Sequence, residues 1–340
     1  MQRRKGPDDD ASVRRPTAAD VAELAGVSRS TVSYILNGSA LQTFTPATVQ
    51  RVRAAAAGLS YAPQPAARAL RRGTSDVVLL PLPDLPSSAN FSRLLSALTD
   101  GVRATGRSLA IVHLRPGDRV VDVLGDVSAA ALLEVLPLAD DDRAAVRAAG
   151  VPLLSVAHAT AALDRQAGAL QVRHLAALGH TRLGVVTATE RSTLVFARPR
   201  LAGITEAAAV AGMAPPEVEE LAGPPERALA GLGARLHRWR DEERPVTAVC
   251  CFNDLFAATV VSAATAAGLR VPDDLAVVGV DDELLAGMLS PTLTTVRFDY
   301  AGVAARVGHE LRHRLDGGPP PGDGPAGAAD LVVRRSSARP

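Results

Sequence analysis

Two hydrophobic periods divide this chain. Up to about residue 60 the apolar positions recur in short bursts at helical spacing. Val21, Leu24 and Ala25 mark one face, Gly26-Val27 interrupts it, and Val32, Ile35 and Leu36 mark a second. A third begins at Thr45-Pro46, carries Val49, Val52 and Ala56, and stops at Gly58. Thr17 with Asp20 reads as a cap for the first helix and Ser28 as a cap for the second, so the pattern is helix-turn-helix. From residue 76 the period changes. Short apolar runs at 77–82, 109–114, 131–136, 153–156, 183–187, 247–251 and 275–280 predict strands. Helical stretches near 90–105, 141–149, 164–178, 199–211, 226–240, 253–267 and 298–315 alternate with them. That alternation predicts doubly wound parallel sheets.

Charge separates the same two regions. Residues 1–75 hold 11 Arg or Lys against 5 Asp or Glu, a net +6, whereas the rest hold 26 against 31, a net −5. A basic head on an acidic body implies that the head meets phosphate and the body does not. The exposed face of the second helix carries Arg29, Ser30, Ser33 and Tyr34, side chains able to read base edges in a major groove. No run approaches the roughly 18 apolar residues of a membrane span, and the first 15 residues are charged without an apolar segment behind them, so the expected location is the cytoplasm. Cys250 and Cys251 are adjacent, unsuited to an ordinary mutual disulfide or to metal-finger spacing, and read as small buried residues.

The series Thr17-x-x-Asp20-Val21-Ala22-x-x-Ala25-Gly26-Val27-Ser28-x-x-Thr31-Val32-Ser33-x-x-Leu36-Asn37, followed by Tyr61-x-Pro63 and Ala66-x-x-x-Leu70, resembles the lactose-repressor (LacI/GalR) family of bacterial transcription regulators. The resemblance continues to Leu331-Val-Val-Arg-Arg335-Ser-Ser337 near the C-terminus, where it implies a last strand at 331–334. Residues 1–16, with Arg3-Arg4-Lys5, Asp8-Asp9-Asp10 and Arg14-Arg15, read as a disordered tail, and the resemblance implies a helix-turn-helix DNA-binding domain at 17–63, a hinge helix and linker at 64–75, and an effector-binding and dimerisation domain at 76–340. That last region would hold two subdomains of periplasmic-binding-protein type, about 76–160 with 297–316 and about 161–292 with 322–340. The chain would cross between them near 158–163, 290–297 and 317–322.

By the same resemblance, Thr17, Ser28, Arg29, Ser30, Thr31, Ser33, Tyr34 and Asn37 would face an operator, with Ala67, Arg68 and a wedging Leu70 in its minor groove. Many relatives carry an arginine at the position of Tyr34, so Arg29 becomes the candidate for a guanine contact. The effector, a small molecule of carbohydrate type, would meet Phe91, Arg200, Asn253 and Asp281. Ala157 stands where sugar-binding relatives often have an aspartate. The expected partners are double-stranded DNA, the effector and a second copy of the chain; no cofactor and no membrane are implied.

Each candidate has a plainer reading. Asn253 or Asp254 can cap the helix at 253–267, Asp281 or Asp282 can cap the next, and a lone Phe91 can be core. One motif points to a different class altogether: His309-Glu310-Leu311-Arg312-His313 matches H-E-x-x-H, which in a zinc hydrolase places two ligands and a base on one helix face. Asp316 stands where the extended form of that motif has glycine, and no glutamate follows Glu310. A binding protein of the transport type would share the large fold without the head. No G-x-S-x-G, P-loop or C-x-x-C motif occurs.

Overall fold

Thr17 opens the first helix, α1 (Ala18–Ala25), with a capping box. Its backbone N–H donates to the Asp20 carboxylate at 2.7 Å while its hydroxyl accepts from the Asp20 N–H at 3.4 Å. Gly26, at φ 63°, takes the left-handed conformation that ends it. The Ser28 hydroxyl then accepts from the Thr31 N–H at 3.1 Å at the start of α2 (Arg29–Asn37), and Thr45 caps α3 (Pro46–Gly58), which has proline in its first turn. Val21, Ala22, Ala25, Val32, Ile35 and Val52 close the small core between them. Leu24, expected on the inner face, is 61 % exposed. Val21, Ala22 and Ala25 already span about 100° of the helix, and at 3.6 residues per turn Leu24 falls outside that arc.

A computed structural model describes residues 16–37, 44–61, 75–83, 88–190, 192–223, 225–322 and 327–337. Its contacts fall into two compact units, Met1–Ser75, which contains these three helices, and Asp76–Pro340. The hinge positions Ala67, Arg68 and Leu70 and the tail at 1–15 lie outside the described residues.

The second unit is built on two parallel four-stranded sheets. The first contains β1 (Val77–Pro83), β2 (Ser108–Leu114), β3 (Ala131–Glu134) and β4 (Leu153–Ser155) in the order β2-β1-β3-β4. Val77 pairs with Ser108, and Val78 with Leu109 and Ala131. Helices α4 (Ala89–Arg103), α5 (Val120–Asp126) and α6 (Asp140–Ala148) connect the strands. Val78, Leu79, Leu80 and Leu82 are all buried, as expected of a strand covered on both faces.

Helix α7 (Ala157–Ala177) leads to the second sheet, of order β6-β5-β7-β8. Here β5 (Leu183–Ala188) is followed by α8 (Leu194–Val210) and β6 (Glu217–Leu221). After a short 3₁₀ turn (Pro225–Ala228) come α9 (Leu229–Asp241), β7 (Ala248–Cys251), α10 (Asp254–Ala266), β8 (Ala276–Val278) and α11 (Leu284–Met288). The chain closes with β9 (Thr295–Asp299), α12 (Ala301–Asp316) and β10 (Ala328–Val332), and β9 and β10 pair antiparallel. Cys250 and Cys251 are wholly buried, and burial pushes the Cys250 thiol up to about 12 and Cys251 well up, which leaves both as packing residues at neutral pH.

Several elements differ from the sequence expectation. The stretch 158–163 lies inside continuous α7, whose Ala159, Leu163 and Ala167 pack in the core of the first sheet and whose Val172 and Leu175 pack in that of the second. The stretch 290–297 contains the start of β9, so the following helix begins at Ala301 and not at 298, and the last strand sits three residues earlier than expected. Strand β6 escaped notice because Glu-Val-Glu-Glu-Leu is the charged alternation of an edge strand. The short helices α5 and α11, seven and five residues long, span too few turns to register as periodic.

Candidate functional site

The chain's helix capping and sheet order bring one set of loops together. A cavity of about 590 Å³ lies at the carboxyl ends of the strands, where the order of doubly wound sheets leaves a crevice. Asn90 and Phe91 reach it from the start of α4, Glu190 from beyond β5, Phe252 and Asn253 from the end of β7, and Asp281 and Glu283 from beyond β8. Thr160 and Asp164 on α7 and Arg200 on α8 form its wall between the two sheets.

Helices α7 and α8 touch backbone to backbone. A Cβ on Gly168 would collide with the carbonyl oxygen of Arg200, and one on Gly203 with that of Arg165. This close approach sets Asp164 against Arg200, both about 4 % exposed or less. The Arg200 Nε donates to Asp164 Oδ1 at 3.1 Å, its Nη2 donates to the same oxygen, and its Nη1 donates to the Phe252 carbonyl. The guanidinium also lies over the rings of Phe252 and Phe298, 4.9 and 5.6 Å from their centroids. Three of its five N–H groups are thereby engaged.

From Arg200 the network runs on through the second candidate carboxylate. Asp281 Oδ1 is 3.9 Å from Arg200 Nη2 and accepts from Asn90 Nδ2 at 3.0 Å, and the Tyr300 hydroxyl donates to Asn90 Oδ1 at 3.2 Å. Asp281 itself has φ 105° and Asp282 φ 46°, a conformation that short polar side chains tolerate and bulky ones do not. The bend is held from below. Asp254 accepts from the Thr295 hydroxyl at 2.6 Å and from the Glu283 N–H at 2.8 Å, while Asp282 pairs with Arg297 at 2.5 Å and Arg334 at 2.7 Å. Glu283 then accepts from the N–H groups of Ala89 and Asn90 at 3.2 and 3.0 Å, tying the loop after β8 to the start of α4.

Burial is the main electrostatic fact here. It pushes Asp164 and Asp281 up to about 6 against the pull of Arg200, and Asp254 up to about 7 against its hydrogen bonds; it also raises the Tyr300 phenol. A carboxyl whose folded-state pKa is raised holds its proton after the unfolded chain has released it. The stability it contributes is present at low pH and is lost as pH rises through the folded value. Lowering the pH from 8 to 6 should therefore raise the calorimetric Tm by a few degrees. His174, lowered by burial, opposes this only below its ordinary 6.5. Asp254→Asn should flatten the profile, and a Tm that falls across this window would contradict the assignment.

All four effector candidates from the sequence line this cavity. Phe91 does so while packing against the first core, and Asn253 does so while capping α10, its Oδ1 accepting from the Phe256 N–H at 3.0 Å. The capping role foreseen as the plainer reading of Asn253 is thus present, and its amide Nδ2 remains a donor. Asp281 is no cap; it is held by Asn90. Sequence reading missed Asp164, Asn90, Glu190, Tyr300 and most of the rings. A signal existed for Asp164: with Gly168 and Gln171 it interrupts the apolar inner face of α7, where a buried acid demands a partner.

In the head, Arg29, Ser30 and Tyr34 are exposed on α2, and Thr31 and Ser33 are half-buried beside them. Ser28, Ser30 and Thr31 share hydroxyl hydrogen bonds of 2.7 and 2.8 Å. Thr17 is occupied by its capping box, and Asn37 ends the helix. The H-E-x-x-H residues lie on α12. Glu310 pairs with Arg314, His313 Nδ1 bonds the Gly318 carbonyl at 2.7 Å, and among the described residues no group of three or more potential metal ligands forms. No helix among them is long and apolar enough to cross a membrane.

Residues 17–64 match the family profile described as bacterial regulatory proteins, lacI family, and residues 172–337 match the periplasmic binding protein-like domain. The chain is 30 % identical over 337 residues to the HTH-type transcriptional regulator GalR of Escherichia coli (strain K12), covering 95 % of this chain and 96 % of GalR. It is 31 % identical over 348 residues to MalR of Streptomyces coelicolor, covering 94 % and 96 %. Among solved structures, a lac repressor dimer bound to operator and the anti-inducer ONPF superposes with a TM-score of 0.72 at 26 % identity, over 96 % of this chain and all of that one. A recognition-type helix and a strand-end cleft in one chain, with full-length identity to named regulators, have a single explanation: the chain belongs to the lacI family of bacterial regulatory proteins and is a ligand-responsive, DNA-binding transcriptional regulator.

Proposed function

We propose that the protein is a cytoplasmic, homodimeric repressor whose two heads occupy the half-sites of a near-palindromic operator and which leaves that operator when a small molecule fills the cleft. The observation that carries this reading is the pairing, in one chain, of an α2 surface bearing exposed Arg29, Ser30 and Tyr34 with a cavity into which Asp164, Arg200, Asn253 and Asp281 converge. Exposed arginine and tyrosine at the start of a helix-turn-helix second helix suit base edges and phosphate. Residues 64–75 would act as the hinge, with Leu70 wedged into a base step. The two sheets would move relative to one another when the cleft fills, and by linkage operator and effector must weaken each other by the same factor.

Arg29→Ala should relax the preference for one guanine in each half-site and weaken operator binding by about 10-fold or more, consistent with about 1–3 kcal/mol per bidentate contact. Selection of binding sites from a randomised duplex pool reads this directly. An unchanged preferred site would remove Arg29 from the base-reading set. Leu70→Ala should weaken operator binding without altering ligand affinity; a change in both, or in neither, would refute the hinge assignment.

A further inference from the structure

The chain is poor in aromatic residues, with six phenylalanines, three tyrosines and one tryptophan, yet they are not spread evenly. Phe91, Phe196, Phe252, Phe256 and Phe298 line the cleft cavity together with Tyr300, so only one phenylalanine of the chain lies elsewhere. Six rings from four separate segments of the chain line one space of about 590 Å³. Wetting such a surface is unfavourable, and a ligand with an apolar ring displaces water from it.

The polar lining of the same space is acidic. Asp164, Glu190, Asp281 and Glu283 face it, and among the described residues the one cation that lines it is Arg200. That cation is already neutralised, because its Nε and Nη2 both hold Asp164 Oδ1 and its Nη1 holds a backbone carbonyl. Arg93, the other guanidinium near Asp281, donates to the Asp281 carbonyl and to Asn90 Oδ1 at 3.3 Å and does not line the cavity. Glu283 is held by two backbone N–H groups and Asp281 by Asn90. For the Glu190 carboxylate no hydrogen bond or ion pair is found among the described residues. Among the described residues an anionic ligand would therefore meet uncompensated negative charge and no free cation, whereas an ammonium or hydroxyl donor would meet carboxylate acceptors.

On the reading of this cavity as the effector site, we infer that the effector carries an apolar ring and hydrogen-bond donors and is neutral or cationic, a lining that disfavours phosphorylated and carboxylated ligands. Arg200 then acts as a wall of the site, ion-paired to Asp164 and offering its remaining N–H groups to neutral acceptors. It is not a carboxylate receptor.

Three near-isosteric fragments that differ chiefly in charge test this: benzylamine (as its ammonium), benzyl alcohol and benzoate, titrated at pH 8 into the full-length protein and followed by saturation-transfer NMR. Fragments of this size bind in the millimolar range when a pocket suits them. The expected result is saturable binding of benzylammonium and benzyl alcohol, with benzoate weaker than benzylammonium by about fivefold or more. Glu190→Gln should shrink that ratio to about twofold, chiefly by weakening benzylammonium, and should alter benzyl alcohol less because the amide oxygen still accepts a hydrogen bond. Glu190 lies outside the buried network, so this variant should fold. Benzoate binding as tightly as benzylammonium, a ratio that Glu190→Gln leaves intact, or no saturable binding of any fragment would each overturn the inference. Operator binding by the same preparation separates the two levels. If the operator is recognised and the fragments fail, only the ligand class is wrong; if the operator is not recognised, the regulator reading itself fails.

Discussion

Asp164→Ala lowers the unfolding free energy of the second unit by about 3–5 kcal/mol, the range found when one partner of a buried ion pair is removed. The reason is what remains behind. Arg200 is about 4 % exposed, so without Asp164 its charge keeps only the Phe252 carbonyl, the two ring faces and Asp281 3.9 Å away. Urea denaturation measures the loss. Asp164→Ala combined with Arg200→Met should lose less than Asp164→Ala alone, because the stranded charge is gone and the long apolar stem is kept. A loss below about 1 kcal/mol for the single variant would mean that solvent reaches Arg200 freely and that the pair does not organise the cleft.

Gly203→Ala destabilises the same unit by about 2–3 kcal/mol, whereas Gly231→Ala is neutral or stabilises by about 0.5–1 kcal/mol. The chemical change is identical and both glycines are helical, in α8 and α9. At Gly203 the new Cβ would collide with the backbone carbonyl of Arg165, which cannot swing aside as a side chain can; at Gly231 nothing lies within 4 Å. Forcing α7 and α8 apart also separates Asp164 from Arg200, so Gly203→Ala should weaken cleft ligands as well as lower the urea midpoint. Equal effects at the two positions would show that helix propensity, and not the helix contact, decides the outcome.

Much of this was legible in the residues. The capping box at Thr17 and Asp20, the break at Gly26 and the proline start of α3 are local rules written in adjacent side chains, and the head follows them closely. Leu24 departs because a single leucine in a short amphipathic helix does not reveal on which edge of the apolar stripe it sits. In the body, buried parallel strands appear as continuous apolar runs, whereas the charged edge strand β6 and the short antiparallel pair β9 and β10 do not. The start of α7 was missed by seven residues, because a helix serving two cores shows no break in its period.

The site was half legible. Arg200, Asn253 and Asp281 follow strands or sit in recognisable motifs, and all reach the cavity. Asp164 and the ring cluster were invisible for a physical reason. Phe91 and Phe298 stand more than 200 residues apart, and only the sheet order brings them to one space. Aromatic residues make up only 3 % of the chain, and it is their concentration at one place that matters.

The most direct measurement is a fluorescence-anisotropy titration of the full-length protein against labelled duplex from the region upstream of its own gene and against a scrambled duplex, at two salt concentrations. The account predicts binding to the upstream duplex at least about 100-fold tighter than to the scrambled one, with the preference retained at the higher salt and reduced by about 10-fold or more in Arg29→Ala. Equal binding to both duplexes with a steep salt slope would contradict it, because the head would then be sensing phosphate alone.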